Sequence, residues 1–176
     1  MEPTWTALGQ AAGLAAAQAI KKDIHVRDIE VSQLQQALHR AGAITYYFSD
    51  VQPGDPIFEA VQFLGTQGLL HDSSIISSRN HYPAPYSTQD AQWRDAFKWH
   101  DAQPQLMLTQ DVADHLAKQF TTIFTNATLP EEALLVDGQR TRGEAYASLY
   151  RAVQTERAAA GTRRKSGIAC PFPHFP

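Results

Sequence analysis

The residues best suited to ligand chemistry are small side chains near the start of the chain, in the segment TWTALGQAAG over residues 4–13. Gly9 and Gly13 stand about one helical turn apart among alanines. A glycine inside a helix costs about 0.5–1 kcal/mol relative to alanine, so two of them indicate that another group approaches this backbone closely. A helix N-terminus also carries unpaired N–H groups and the positive end of the dipole, which favour electron-rich oxygens such as those of a diphosphate.

The helix that must position these residues is predicted from about Thr6 to Lys22. This stretch has no proline, is dense in alanine, and ends in Lys21 and Lys22, whose charges suit a helix C-terminus. Thr4 or Thr6 is expected to cap its start.

Further helices are predicted from the spacing of apolar residues. They span residues 33–41, 56 to about 65 or 68, 87 or 88 to about 101, 110 to about 126, and 142 onward. The expected caps are Ser32, Asp55, Ser87 or Thr88, Thr109, and Thr141, the last forming a capping box with Glu144. Residues 26–31 are predicted to be a short connector, and residues 44–48 a short strand or an extended strap.

The predicted fold class is therefore mainly α, with five to six helices and at most one or two short strands. A Gly/Ala-rich N-terminal helix is followed by a bundle-like helical tail. The positions expected to face inward in the last two helices are Val112, Ala113, Leu116, Ala117, Phe120, Ile123, Phe124, Ala145, Leu149, Tyr150 and Val153.

Residues 2–19 (EPTWTALGQAAGLAAAQA) resemble the last FAD-contacting motif of the FAD-dependent oxidoreductase family. Residues 31–38 (VSQLQQAL) are similar to the helix that usually follows it. The resemblance implies FAD as the cofactor, with the helix N-terminus pointing at the flavin. The residues that it implicates, through backbone contacts and close packing, are Thr4, Trp5, Thr6, Ala7, Leu8, Gly9 and Gly13.

A flavoprotein of this kind also needs a strand followed by Gly-x-Gly-x-x-Gly at a helix start to hold the diphosphate. This chain contains no such pattern. We therefore expect Met1 to fall inside a longer reading frame, and the missing N-terminal FAD-binding region of the parent chain to be the main partner. The chain alone is then expected neither to bind FAD tightly nor to turn over substrate.

A second resemblance covers the middle of the chain. Residues 48–69 are similar to the first half of an S-layer-homology repeat, with an aromatic-x-Asp-Val entry, a helix, and a Gly-apolar exit. Residues 108–113 (LTQDVA) and 139–145 (QRTRGEA) resemble the Thr-Arg-x-Glu helix start of such repeats, although Gln110 replaces the usual arginine. A packing role for this helical tail is favoured over binding of a cell-wall polymer.

These resemblances divide the chain into three segments: residues 1–45 as a remnant of an FAD-binding domain, 46–160 as an S-layer-homology-like helical tail, and 161–176 as a disordered tail. The favoured function is the C-terminal segment of an FAD-dependent oxidoreductase that supplies the last flavin-facing helix and a helical cap. One alternative is a stand-alone helical module that binds cell wall or protein. Another is an unstable truncation product that self-associates through its exposed first helix.

The composition argues against several other classes of function. The net charge of −3 at pH 7 indicates neither a nucleic-acid nor an anionic-membrane partner. No membrane span is expected, and Glu2 stands where a signal peptide would carry a basic residue. Cys170 is the only cysteine, so no internal disulfide can form.

Two pairs of polar residues are candidates for a metal or catalytic site. Asp111 and His115 lie one helical turn apart, but without a third and fourth ligand a surface pair is favoured over a metal site. Asp50 and Asp55 are better explained as turn and cap residues than as a catalytic pair. No metal site is predicted, and the sequence assigns neither catalytic residues nor a compartment.

Overall fold

The computed structural model describes the backbone of residues 2–70 and 101–165, and the side chains of residues 4–70 and 101–159. Within these ranges the protein is mainly α, as predicted, and contains no strand beyond one isolated bridge. The five helices are α1 (Glu2–Lys22), α2 (Val31–Arg40), α3 (Phe58–Thr66), α4 (Gln110–Ile123) and α5 (Arg142–Lys165). Short 3₁₀ helices lie at Val26–Asp28 and Glu131–Leu134. The helix predicted from Ser87 or Thr88 lies outside the described residues.

Helix α3 lies at the centre of the core because it is apolar on nearly every side. It packs against α2 and α5, and all but two of its residues are buried. The inward faces of α4 and α5 complete this core, and most of their predicted positions are confirmed. The buried members are Val112, Ala113, Leu116, Phe120, Phe124, Ala145, Leu149 and Val153. Tyr146 is fully buried as well, although the spacing does not single it out.

The starts of α2 and α3 differ from the predicted ones. Ser32 lies inside α2, where its hydroxyl donates to the carboxylate of Glu30, the residue that precedes the helix (2.6 Å). Asp55 does not cap α3, which begins after Ile57. Its carboxylate accepts the backbone N–H of Gln52 (2.7 Å) and so closes the preceding turn. A side chain committed to that turn does not bond the first amides of the helix.

The capping box at the start of α5 is confirmed. The backbone N–H of Thr141 donates to the Glu144 carboxylate (2.8 Å), and the N–H of Glu144 donates to the Thr141 hydroxyl (3.3 Å). The two amides in between donate to backbone carbonyls of the segment over residues 104–106, at 2.9 and 2.8 Å. The first turn of α5 is therefore satisfied from within the chain and offers no free amides to a ligand.

Residues 44–48 form an irregular strap instead of a strand, because a side chain takes the place of a neighbouring strand. Gln62 of α3 is fully buried. Its Oε1 accepts the backbone N–H groups of Thr45 and Tyr46 (2.9 and 3.0 Å), and its Nε2 donates to the Tyr46 carbonyl (2.7 Å). Backbone groups that become buried in such a contact need partners, so this one amide allows the strap to pack on α3 without a sheet.

The side chain of Asp50 binds the backbone of residues 102 and 103. Its carboxylate accepts the backbone N–H groups of Ala102 and Gln103 (2.8 and 2.6 Å). From α5, Arg142 donates to the Gln103 side chain (2.8 Å) and Tyr146 donates to the Ala102 carbonyl (2.9 Å). Burial raises the pKa of Tyr146, so its hydroxyl remains a donor. Asp50 thus joins the turn after the strap to residues 102 and 103, which Arg142 and Tyr146 of α5 also contact. This is more than the predicted turn role.

Helix α5 continues to Lys165, so the backbone of residues 161–165 is helical where the sequence predicts the start of a disordered tail. The basic run that ends there suits a helix C-terminus. Residues 166–176 lie outside the described part of the chain. The division at residue 45 stays a prediction, but α2 packs directly on α3 across it.

We expect Asp50→Ala to lower the free energy of unfolding by about 2–4 kcal/mol, because two partly buried backbone amides lose a charged acceptor. Asp55→Ala is the matched control, since it removes the same side chain from an exposed turn with one amide partner. It should cost less than about 1 kcal/mol. Urea denaturation followed by circular dichroism measures both, and equal losses would contradict the role given to Asp50.

Candidate cofactor-facing helix

Helix α1 contacts the rest of the described chain along one face. Residues at helical spacing on that face are buried or half-buried against α2 and the first 3₁₀ helix. They are Ala11, Leu14, Ala15, Gln18 and Ala19. Only the C-terminal half of the helix contributes to this contact, so its first two turns project from the body.

The opposite face of α1 is also apolar, and it is exposed. Its members recur at helical spacing and are Trp5, Gly9, Ala12, Gly13, Ala16 and Ile20, which we call the α1 stripe. Trp5 is 68% exposed and Ile20 is 82% exposed. A helix that is apolar on opposite faces is typical of the interior of a larger protein, yet only one of these faces is covered by the described residues.

Every implicated residue lies on the uncovered part of α1. Thr4, Trp5, Thr6, Ala7 and Leu8 are all exposed. A Cβ atom added at Gly9 or at Gly13 would meet nothing within 4 Å. The close approach that these glycines predict is therefore not made by the described residues, and the space beside them is open to another group.

The start of α1 corrects the predicted geometry of the backbone contacts. The helix begins at Glu2, so Thr4 and Thr6 lie inside it and neither is a cap. In an α-helix each N–H beyond the first turn bonds the carbonyl four residues earlier. The amides of Thr6, Ala7 and Leu8 are thus used within the helix, and the amides that remain free belong to the turn starting at Glu2. Contact of these residues with FAD stays a prediction.

A buried histidine at the end of α2 was missed from the sequence. His39 is 2% exposed, and its Nε2 lies 2.6 Å from the Thr45 hydroxyl. That hydroxyl lies 2.9 Å from the hydroxyl of Thr66, which donates to the Gln62 carbonyl (2.7 Å). Because Thr66 uses its proton on Gln62, Thr45 donates to Thr66, and His39 must donate to Thr45. This order assigns the proton of the neutral ring to Nε2.

Burial lowers the pKa of His39 to about 4, since a charged imidazolium would lose its hydration in the core. The ring is therefore neutral at pH 7. Its hydrogen bond joins α2 to the strap and to α3, so His39 helps to fix the orientation of the segment that carries α1. A histidine next to Leu38 in an amphipathic helix was the only local signal, and the strap that covers it comes from later in the chain.

The remaining candidates carry no site in the described residues. No group of three or more His, Cys, Asp or Glu side chains in residues 2–70 and 101–165 is placed to hold a metal ion. Asp111 is exposed and His115 is half-buried on α4. Cys170 lies outside the described residues. Among the described helices, none has both the length and the apolar character needed to cross a bilayer.

Comparison with known proteins identifies one similarity, at this same helix. The model of the family described as FAD dependent oxidoreductase matches residues 1–38. The match spans α1, which carries the α1 stripe, and most of α2, the helix that contains His39. No curated protein and no solved structure matches the chain. The first 38 residues are therefore similar to an FAD-dependent oxidoreductase segment.

We expect Gly9→Ala to raise the stability of this chain by about 0.5–1 kcal/mol, because the added methyl group meets open space and alanine favours the helix. Gly65→Ala provides the contrast, since its Cβ would lie 2.8 Å from the buried ring of Phe48. It should cost about 1–3 kcal/mol. Thermal and urea denaturation measure both changes. A loss of stability at Gly9 would show that the chain itself packs against that glycine.

The neutral, buried His39 should make the protein less stable in mild acid. The unfolded chain takes up a proton near pH 6.5 while the folded chain does so near pH 4, so stability falls as pH drops through this window, by up to about 3 kcal/mol. Urea denaturation at a series of pH values measures this loss. His39→Asn should flatten the profile, whereas removing the exposed ring with His25→Asn should not. An unchanged profile in His39→Asn would contradict the assignment.

Proposed function

We propose that residues 1–38 supply the last flavin-facing helix, and the helix after it, of an FAD-dependent oxidoreductase, and that residues 46–160 act as a helical cap on them. One observation carries the proposal: α1 is apolar on two opposite faces, and the described chain covers only one. The family match over residues 1–38 supports the same assignment for the same helix.

The exposed stripe gives a physical reason for a covering partner. Burying a large apolar side chain stabilises a protein by about 1.5–3 kcal/mol, and Trp5 and Ile20 at the ends of the stripe lack this contribution here. The four residues between them are glycine or alanine, so a covering surface or cofactor can come close to the helix backbone. A flat ring system or a closely packed strand fits this stripe better than a surface with protruding side chains.

In such a protein the bound flavin would accept or donate a hydride, and the chain would supply position and electrostatics. The positive end of the α1 dipole and the free amides of its first turn favour negative charge. The side chains that project near this end are Thr4, Trp5 and Thr6. Their proposed role is to bind and orient the cofactor.

The cap role is supported by contacts that join α2 to the following helices. Gln36 donates to the Gln154 side chain of α5 (2.6 Å), and Arg40 pairs with Glu59 of α3 (3.5 Å). The Arg40 pair is exposed and contributes little by itself. Together with the packing of α2 on α3, these contacts hold α2 to the helical unit, and α2 in turn orients α1.

The alternative function as a cell-wall-binding module receives no specific support from the geometry. Arg142, the arginine of the Thr-Arg-x-Glu start, is 9% exposed and donates to Gln103. Its side chain and its backbone N–H, which donates to the Leu106 carbonyl, both join α5 to the segment over residues 103–106. This favours a packing role for the helical tail.

The test begins with the DNA upstream of the Met1 codon, where an in-frame strand followed by Gly-x-Gly-x-x-Gly is expected. The protein produced with that segment should show the visible absorbance of bound flavin. Ala12→Leu should strongly reduce its flavin content, because the larger side chain fills the space between Gly9 and Gly13 on the stripe. Ala17→Leu, an exposed alanine about 140° around the helix from Ala12, is the matched control and should retain flavin.

The chain of 176 residues alone should not quench flavin fluorescence when titrated with FAD, because it lacks the diphosphate-binding pattern. Tight binding by the chain alone would contradict the need for a second region. A parent protein without flavin, or equal loss in the two leucine variants, would overturn the proposed role of α1.

A further inference from the structure

We infer that α1, the first 3₁₀ helix and α2 unfold together as one unit, while the core formed by α3, α4 and α5 stays folded. We call this unit, residues 2–40, the helical arm. Folded proteins open in cooperative segments of different stability, and a segment with few buried apolar contacts opens at the lowest cost. The burial of the arm and its contacts with the core place it in that class.

The apolar core is built without the helical arm. Among the described residues, every apolar side chain of that core lies within residues 46–153. The only buried side chain described in α1 is Ala19, and the only ones in α2 are Leu38 and His39. Helix α3, by contrast, is buried at seven of its nine residues. Unfolding of the arm therefore leaves the side chains of the apolar core in contact with one another.

Polar side chains make the specific contacts between the helical arm and the core. Helix α2 packs on α3, and four side-chain pairs among the described residues accompany this contact. They are Gln35–Gln67 (3.4 Å), Gln36–Gln154 (2.6 Å), His39–Thr45 (2.6 Å) and Arg40–Glu59 (3.5 Å). When the arm opens, bonds to water replace these hydrogen bonds, so each has a small net effect, and the exposed ion pair has less. A polar interface of this kind is typical of segments that separate within a folded chain.

The backbone has a boundary between the helical arm and the core at Ile44, which is 49% exposed. The N–H groups of Gly42 and Ala43 donate back to carbonyls of α2, and Gly42 ends that helix with a left-handed φ of +79°. The next N–H, that of Thr45, donates to Gln62 of α3. Within the described residues, no backbone hydrogen bond joins the arm to residue 45 or beyond. The arm can therefore unfold without breaking a backbone bond of the core.

Opening of the helical arm is a property of this chain and does not rest on flavin binding. One consequence does rest on the proposed function: a cofactor or parent region that binds α1 only when the arm is folded would stabilise the arm selectively. Opening is measured on the chain alone, and flavin content is measured on a parent protein, so either result can fail without the other.

Hydrogen exchange of the folded chain, at urea concentrations below its unfolding transition, tests the inference. The amides of α1 and α2 should exchange together, at least about tenfold faster than those of α3 and α4. Their exchange should also depend less on urea, because opening the arm exposes less surface than unfolding the whole chain. Exchange in α2 that is as slow as in α3, or slower exchange in the arm than in the core, would overturn the inference.

Two substitutions separate opening of the arm from unfolding of the whole chain. Val112 is 4% exposed in the core, which stays folded when the arm opens. Val112→Ala should therefore accelerate exchange in α3 and α4 about tenfold or more, and exchange in the arm less than about twofold. Leu14 is half-buried on the face of α1 that packs on α2. Because the arm is unfolded in both processes, Leu14→Ala should accelerate exchange in the arm and in the core by the same factor.

Circular dichroism checks that the variants keep their helices. If Val112→Ala does not fold, Phe124→Leu makes a smaller change in the same core and takes its place. Equal acceleration of arm and core amides by the core substitution would mean that the arm unfolds only with the whole chain, which overturns the inference. Acceleration by Leu14→Ala in α1 but not in α2 would reduce the opening to fraying of the first helix and would overturn it as well.

Discussion

The buried amide of Gln62 is the interaction on which the arrangement of α2, the strap and α3 depends. A helical core has no strand ladder to receive the backbone of a segment that packs on it, and backbone groups left unpaired in such a contact are costly. Gln62 satisfies three such groups, which lets the strap lie flat on α3 with the ring of Phe48 against Gly65. A larger residue in place of this glycine would collide with the ring. The side-chain amide of Gln62 and the lack of a side chain at Gly65 thus both allow the strap to pack on α3.

The strap in turn covers His39 and joins the end of α2 to α3. Helix α1 packs mainly on α2. Its direction therefore depends on the contacts that fix α2 on the strap and on α3. The result is a stable helical unit from which an apolar helix projects with one face uncovered. The uncovered face of α1 is the basis of the cofactor-facing role proposed for it in a larger protein.

Local patterns were reliable where the responsible contacts are local. The spacing in α4 and α5 identified their buried faces, and the capping box at Thr141 and Glu144 formed as expected, because its two partners are three residues apart. The caps at Ser32 and Asp55 were wrong, because each side chain found a partner on the other side of the expected helix boundary. The strap was ambiguous from its residue types, since its actual partner is a glutamine in a later helix.

The candidate site also combines features that local sequence determines with features that depend on contacts between distant segments. The amino-acid sequence by itself determined that the first helix is rich in small residues, that two glycines lie on one face, and that a Gly-x-Gly-x-x-Gly pattern is missing. It did not determine which face of that helix would be free, because both faces are apolar and periodicity cannot rank them. Only the tertiary structure decided this, by packing the C-terminal half of α1 on α2 and leaving Gly9 and Gly13 open. That choice depends on contacts between distant segments, such as those of His39 and Gln62, which no local pattern encodes.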